Sequence, residues 1–133
     1  MTKDSYLYPA IFKYGEDGIT ITFPDLPGCI SCGKNDEEAL YMARDVLGGW
    51  MYQIERAKEK IPKSSSLNMI NLNFDEKVLL IDVWMPSVRK SIRNKAVKKT
   101  LTIPQWLNER ATEKNLNFSH ILQEALKEEL GIK

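Results

Sequence analysis

Histidine is almost missing from this chain: its 133 residues contain one, His120. A multi-histidine metal site is thereby excluded, and a histidine-based catalytic triad has a single candidate. Cysteine is scarce as well. Cys29 and Cys32 are too few for a disulfide framework. No apolar run exceeds a few residues, whereas a membrane-spanning helix needs about 20. The opening MTKDSYLYP lacks the apolar stretch of a secretory signal. These absences lead us to expect a cytoplasmic protein with reduced thiols and no membrane partner. What is present is ordinary in bulk. With 43% hydrophobic and 28% charged residues, wholesale disorder is excluded, and the length suits one ordinary domain or two small ones.

The net charge of +1 conceals an asymmetry. Residues 1–85 carry 9 Lys and Arg against 13 Asp and Glu, a balance of −4, and residues 86–133 carry 10 against 5, a balance of +5. Arg89, Lys90, Arg93, Lys95, Lys98 and Lys99 fall within residues 86–103, which contain no acid. Two modules with different partners follow as the expectation, the basic one being suited to nucleic acid.

Residues 6–14, YLYPAIFKY, read as a strand that Pro9 confines to an edge or a bulge. The turn GEDG leads into ITITF at 19–23. Ile19, Ile21 and Phe23 fall on one face, so the pair forms a hairpin. CISCG at 29–33 is a short third strand. Asn35 then opens a helix, with Asn35-x-x-Glu38 as a capping box. Ala39, Leu40, Ala43, Val46, Leu47, Trp50, Met51 and Ile54 give that helix an apolar stripe to lie on a sheet. Gly48-Gly49 within it costs about 2 kcal/mol against two alanines, which calls for a close backbone approach or a bend. Residues 63–66 read as a soluble linker. Ile70, Leu72 and Phe74 alternate weakly as an added strand over 67–74. KVLLIDVW at 77–84 is a strong strand. The module is therefore β-β-β-α-β, an antiparallel sheet covered on one face by a helix.

Residues 86–96 read as a basic linker or a short helix begun after Pro86. Residues 97–103, VKKTLTI, form a strand with Lys98, Thr100 and Thr102 on one face and Leu101 and Ile103 on the other. Pro104 starts a helix that ends near Lys114 and Asn115. Asn117 caps a second helix that runs to Leu130 and stops at Gly131, with Ile121, Leu122, Ala125, Leu126 and Leu130 as its stripe. One strand and two helices within about 40 residues cannot bury their own apolar surface. Dimerisation through two antiparallel strands is the remedy, and such a ribbon fits the DNA major groove. Lys98, Thr100 and Thr102 are then the base-contacting residues. Lys99 and the start of the last helix, Asn117, Phe118 and Ser119, hold phosphate.

Residues 98–126, KKTLTIPQWLNERATEKNLNFSHILQEAL, resemble a ribbon-helix-helix DNA-binding domain of the Arc and MetJ type. YPAIF, GITITFPDLPGC and the G-x-N-x-EEAL helix, within residues 6–57, resemble the HicB antitoxin family. That second resemblance implies a truncated RNase H-like domain without nuclease activity. It also implies a HicA-like toxin as partner, an mRNA-cleaving ribonuclease. The expected fold is thus α+β: a toxin-binding domain at 1–85, a linker at 86–96 and a ribbon-helix-helix domain at 97–133. The expected function is an antitoxin that neutralises its toxin by contact and represses its own operon at an operator in double-stranded DNA. It would be a homodimer through the ribbon, with association of dimers through the first domains left open. The acidic first module complements a toxin that handles RNA. Glu16, Asp17, Asp25 and Leu26 are the expected toxin contacts.

Other readings are weaker. An RNase H-type nuclease would need carboxylates converging on two metal ions. Asp17, Asp25 and Asp82 do not converge visibly, and Glu37 and Glu38 are ordinary first-turn residues. Cys29-x-x-Cys32 lies in a strand, so one thiol should be buried and the other exposed. His120 should face solvent. Trp50 and Trp84 read as core, and Trp106 as core or dimer cover. No catalytic residue, metal or cofactor is expected. A transcription regulator whose first domain senses a ligand or another protein is the alternative. A neighbouring gene for a small basic protein would separate the two.

Overall fold

The computed structural model describes residues 3–132. The chain divides into two compact units, residues 1–95 and 96–133.

In the first unit β1 (Ser5–Gly15) turns at Glu16-Asp17 into the antiparallel β2 (Gly18–Thr22). β3 (Ile30–Gly33) pairs antiparallel with β2, and β4 (Glu76–Trp84) pairs antiparallel with the other side of β1. The sheet order is β3-β2-β1-β4. Pro9 sits opposite Leu80 of β4, and its register lies beyond the end of β2. The strand is central along one half and an edge at Pro9, where a missing amide is tolerated. Side-chain alternation sends Tyr6, Tyr8, Ala10, Phe12, Ile19, Ile21, Ile81 and Val83 to one face, where all are buried.

Helix α1 (Asp36–Ala57) covers that face with Ala39, Ala43, Leu47, Met51 and Ile54, spaced at three and four residues so that they share one stripe. Burying Leu47 and Met51 contributes about 1.5–3 kcal/mol each. Asn35 Oδ1 accepts from the Glu38 amide at 2.8 Å. The Glu38 carboxylate reaches back to the amide of Lys34 at 3.2 Å, one residue beyond the expected capping box. Lys58, in the left-handed region, ends the helix. Of the glycine pair, Gly48 makes the close approach: a Cβ there would stand 3.1 Å from Val88 and 3.3 Å from Val83, while one at Gly49 would meet nothing within 4 Å.

Two expectations change in this unit, and one open alternative is decided. Residues 67–74 add no strand. Leu67–Met69 is a 3-10 turn, and the rest forms no ladder, because alternation makes a strand only where a neighbour offers an edge. Of the two readings of residues 86–96, linker or short helix, the helix is the one that forms. Helix α2 (Met85–Asn94) begins with Pro86 in its first turn, buries Met85 and packs Val88 on the core. The basic composition had masked that apolar side, and the compact unit runs to Lys95. Trp84 is 58% exposed, because the register sets it opposite Ser5 on the sheet face away from α1.

The second unit contains α3 (Gln105–Glu113) and α4 (Phe118–Leu130). Asn115, with positive φ, makes the bend between them, and Gly131 closes α4 in the left-handed region as expected. Residues 97–103 carry no strand here. A strand requires a ladder partner, and within one chain this segment has none. No described residue of this unit is buried. Among the described residues no helix is long and apolar enough to cross a membrane.

Candidate functional site

In the second unit the segment before α3 presents Lys98, Lys99, Thr100 and Thr102, all exposed. Asn117 Oδ1 accepts from the His120 amide at 3.0 Å and so fixes the first turn of α4. The amides of Phe118 and Ser119 in that turn have no carbonyl four residues back within the helix to bond, which is the geometry that holds a phosphate. His120 is exposed, as expected. The apolar residues of the unit also face outward: Leu101, Ile103, Trp106, Ile121, Leu126 and Leu130 are all exposed. That is a large uncovered aliphatic and aromatic surface for a unit of 38 residues.

One end of the first unit is acidic. The Glu16-Asp17 turn and the first turn of α1, with Asp36, Glu37 and Glu38, lie there, and Tyr14, Glu16, Lys34 and Asp36 line one groove. The Tyr14 hydroxyl donates to Asp36 at 2.6 Å, and that bond raises its pKa above the usual tyrosine value. Glu16 and Asp17 are therefore surface residues at an acidic end. The other two expected toxin contacts are not free. Both Asp25 oxygens accept from Ser65, from the amide at 2.8 Å and the hydroxyl at 2.5 Å, which ties the segment after α1 to the β2–β3 connection. Leu26 is 1% exposed and belongs to the core, so it has no surface to offer.

The carboxylates weighed for nuclease chemistry go to separate structural tasks. Asp17 is in the turn, Asp25 is held by Ser65, and Asp82 pairs with Arg44 at 3.3 Å on the surface. Among the described residues no three His, Cys, Asp or Glu side chains are placed to hold a metal. Cys29 is buried and Cys32 exposed, as the alternation required. Burial pushes the Cys29 thiol up to about 11.

Where α1, β1 and α2 meet, Glu55 accepts from Arg89 Nε at 3.0 Å, from Arg89 Nη2 at 2.7 Å and from the Tyr6 hydroxyl at 2.8 Å. Arg89 also donates to the Lys3 carbonyl at 2.6 Å. The guanidinium holds the Glu55 carboxyl below the usual range. Burial, with the carboxylate beside it, pushes Tyr6 up to about 12. Because α2 belongs to the first unit, the charge asymmetry largely disappears at the structural boundary. Residues 1–95 carry 13 basic and 13 acidic groups, net 0, and residues 96–133 carry 6 and 5, net +1. The first unit is thus acidic at one end and basic around α2, rather than acidic as a whole.

A family model described as the HicB_like antitoxin of bacterial toxin-antitoxin systems matches residues 8–125. The chain belongs to the HicB-like antitoxin family. Among its relatives is an uncharacterised 14.9 kDa protein from the rep-hol intergenic region of Haemophilus phage HP1, 27% identical over 101 residues, which are 76% of this chain and 75% of the phage protein. A chain from a toxin-antitoxin complex of Streptococcus pneumoniae shares the fold at TM-score 0.61 and 24% identity, covering 94% of this chain and 99% of that one. The Burkholderia pseudomallei antitoxin HicB does so at TM-score 0.54 and 18% identity, over 94% and 98%.

The HicB-like motifs prove to be structural. In FPDLPGC, Phe23, Leu26 and Cys29 are core, and Gly28, at φ 95, lies against Trp50. Gly33, ahead of the Asn35 cap, would place a Cβ 2.5 Å from the Ala39 amide nitrogen, so only glycine lets β3 pass the start of α1. These residues set the fold on which functional surfaces are carried. Sequence reasoning missed the grouping of Tyr52 and Arg56 of α1 with Arg93 of α2, because 36 residues separate Arg56 from Arg93 along the chain. Their side-by-side placement depends on how α2 packs.

Proposed function

We propose that this HicB-like chain neutralises a HicA-like mRNA-cleaving toxin by covering its RNA-handling surface, and represses its own operon as a ribbon-helix-helix dimer. The observation that carries the DNA-binding half is the second unit, which leaves its apolar helix faces and the 97–103 segment uncovered. A second copy would pair that segment as an antiparallel ribbon and cover Ile121, Leu126 and Leu130 in one step. Lys98, Thr100 and Thr102 would then face the major groove, with Lys99 and the α4 N-terminus, from Asn117 to Ser119, on phosphate. Family membership supports the toxin-binding half. The surface we assign to the toxin is the acidic end formed by Glu16, Asp17, Asp36, Glu37 and Glu38, which attracts a basic partner.

The test pairs two measurements. The full chain should rescue growth of cells expressing the neighbouring toxin gene. A fragment of residues 1–95, which has its own core, should inhibit cleavage of mRNA by the purified toxin while showing no preference for operator over random DNA. Continued cleavage at excess folded fragment would move the inhibitory contacts to the second unit.

A further inference from the structure

The groove between the end of α1 and α2 has no role in either half of that function. Tyr52, Glu55, Arg56, Arg89 and Arg93 line it, around an open volume of about 260 Å³. We infer that this groove is a second phosphate-binding surface for duplex DNA, carried by the first unit and acting beside the ribbon. The inference rests on the DNA-binding half of the proposed function.

Three observations point to it. The groove's one carboxylate is already committed: Glu55 accepts two bonds from Arg89 and one from Tyr6. Arg56 and Arg93 are exposed and have no ion-pair partner among the described residues. The groove therefore presents two uncompensated guanidinium groups, the side chain best suited to phosphate. Second, Arg93 is followed by an acid-free stretch. No Asp or Glu occurs between Asp82 and Glu109, so nothing along the chain interrupts the positive field between the groove and the ribbon segment. Third, the chain is short there. Lys98 is five positions after Arg93, and a fully extended chain spans at most about 18 Å over that length. Duplex DNA carries about one negative charge per 1.7 Å of axis, so roughly ten phosphates fall within that reach whatever the orientation of the two units. A toxin that handles RNA is a poor occupant, since its own basic surface would be repelled.

The groove would add affinity without sequence information, because phosphate contacts position a protein and base contacts specify. The experiment uses the full chain. Operator and random duplexes are titrated between about 50 and 200 mM salt with wild type, Arg56→Gln/Arg93→Gln, and a control of equal charge change, Lys13→Gln/Lys34→Gln, at the far end of the sheet. All four positions are exposed, so folding is preserved. A single-stranded RNA is titrated in parallel. For the groove variant, which loses two guanidinium groups in each copy of the dimer, we expect a log-log salt slope shallower by about 3–4, an unchanged ratio of operator to random affinity, and no such change in the control. Equal slopes for all three proteins, an equal loss in the control, or a loss confined to RNA would overturn the groove while leaving the ribbon reading intact. A wild-type chain that binds no DNA would overturn both.

Discussion

Replacing Arg89 with Met removes the guanidinium and keeps most of the side chain's length. In the native chain Arg89 gives two hydrogen bonds to Glu55 and one to the Lys3 carbonyl. The Glu55 side chain is 7% exposed and that of Arg89 24%. The substitution leaves a nearly buried carboxylate with one donor, Tyr6. Removing one partner of a fully buried pair costs about 3–5 kcal/mol, and the partial exposure of Arg89 lowers the expected loss to about 2–3 kcal/mol. For a unit of this size about 1 kcal/mol moves the melting temperature by about 4–8 °C, so the drop should be about 8–24 °C. Thermal unfolding followed by circular dichroism at neutral pH reads it directly. The pH dependence supplies a second check. Glu55 titrates lower in the folded chain than its ordinary value of 4.5, so the stability it contributes is complete above that value and is lost as pH falls through the lowered one. Without Arg89, burial favours the protonated acid. The gap between wild type and variant should therefore be widest near neutrality and shrink as pH falls towards and through the ordinary value of 4.5. Adding Glu55→Gln to Arg89→Met should recover part of the loss, since an amide is cheaper to bury than an unpaired carboxylate. A melting temperature within about 2 °C of wild type at neutral pH would refute the claim that this pair fastens α2 to the first unit.

Other outcomes follow from the same structure. Native protein should react with a thiol reagent at Cys32 alone, because Cys29 is buried with its pKa raised, and unfolding should release a second equivalent. Fast modification of two thiols in the native state would contradict the core placement. Gly33→Ala should cost several kcal/mol, or prevent folding of the first unit, because its Cβ would lie 2.5–2.6 Å from the Ala39 backbone; urea unfolding measures it. A fragment of residues 96–133 should sediment as a dimer, and a stable folded monomer at micromolar concentration would remove the basis of the ribbon. In the full chain, Thr100→Ala should narrow the preference for operator over random DNA while leaving weak random binding in place, and equal loss of both would mean that Thr100 reads no base.

Sequence alone determined the features governed by neighbours a few residues apart. The Ile19, Ile21, Phe23 alternation, the Asn35 and Asn117 caps, the α1 stripe and the Gly131 stop are all local, because hydrogen bonding to nearby amides and the repeat of side-chain direction act over one or two turns. Tertiary structure decided what depends on which surface meets which. Residues 67–74 alternate as a strand does but have no edge to join. Residues 86–94 read as a charged linker or a short helix, and only the fold shows that they pack Val88 on the core and clasp Glu55. Leu26 and Asp25 sit in a surface-type turn sequence, but one fills the core and the other binds Ser65. Trp84 reads as core and faces outward, because a strand has two faces and only pairing with β1 says which one α1 covers. Tyr52, Arg56 and Arg93 become neighbours only after α2 docks, since burial and long-range pairing join residues whose separation along the chain carries no trace of their proximity.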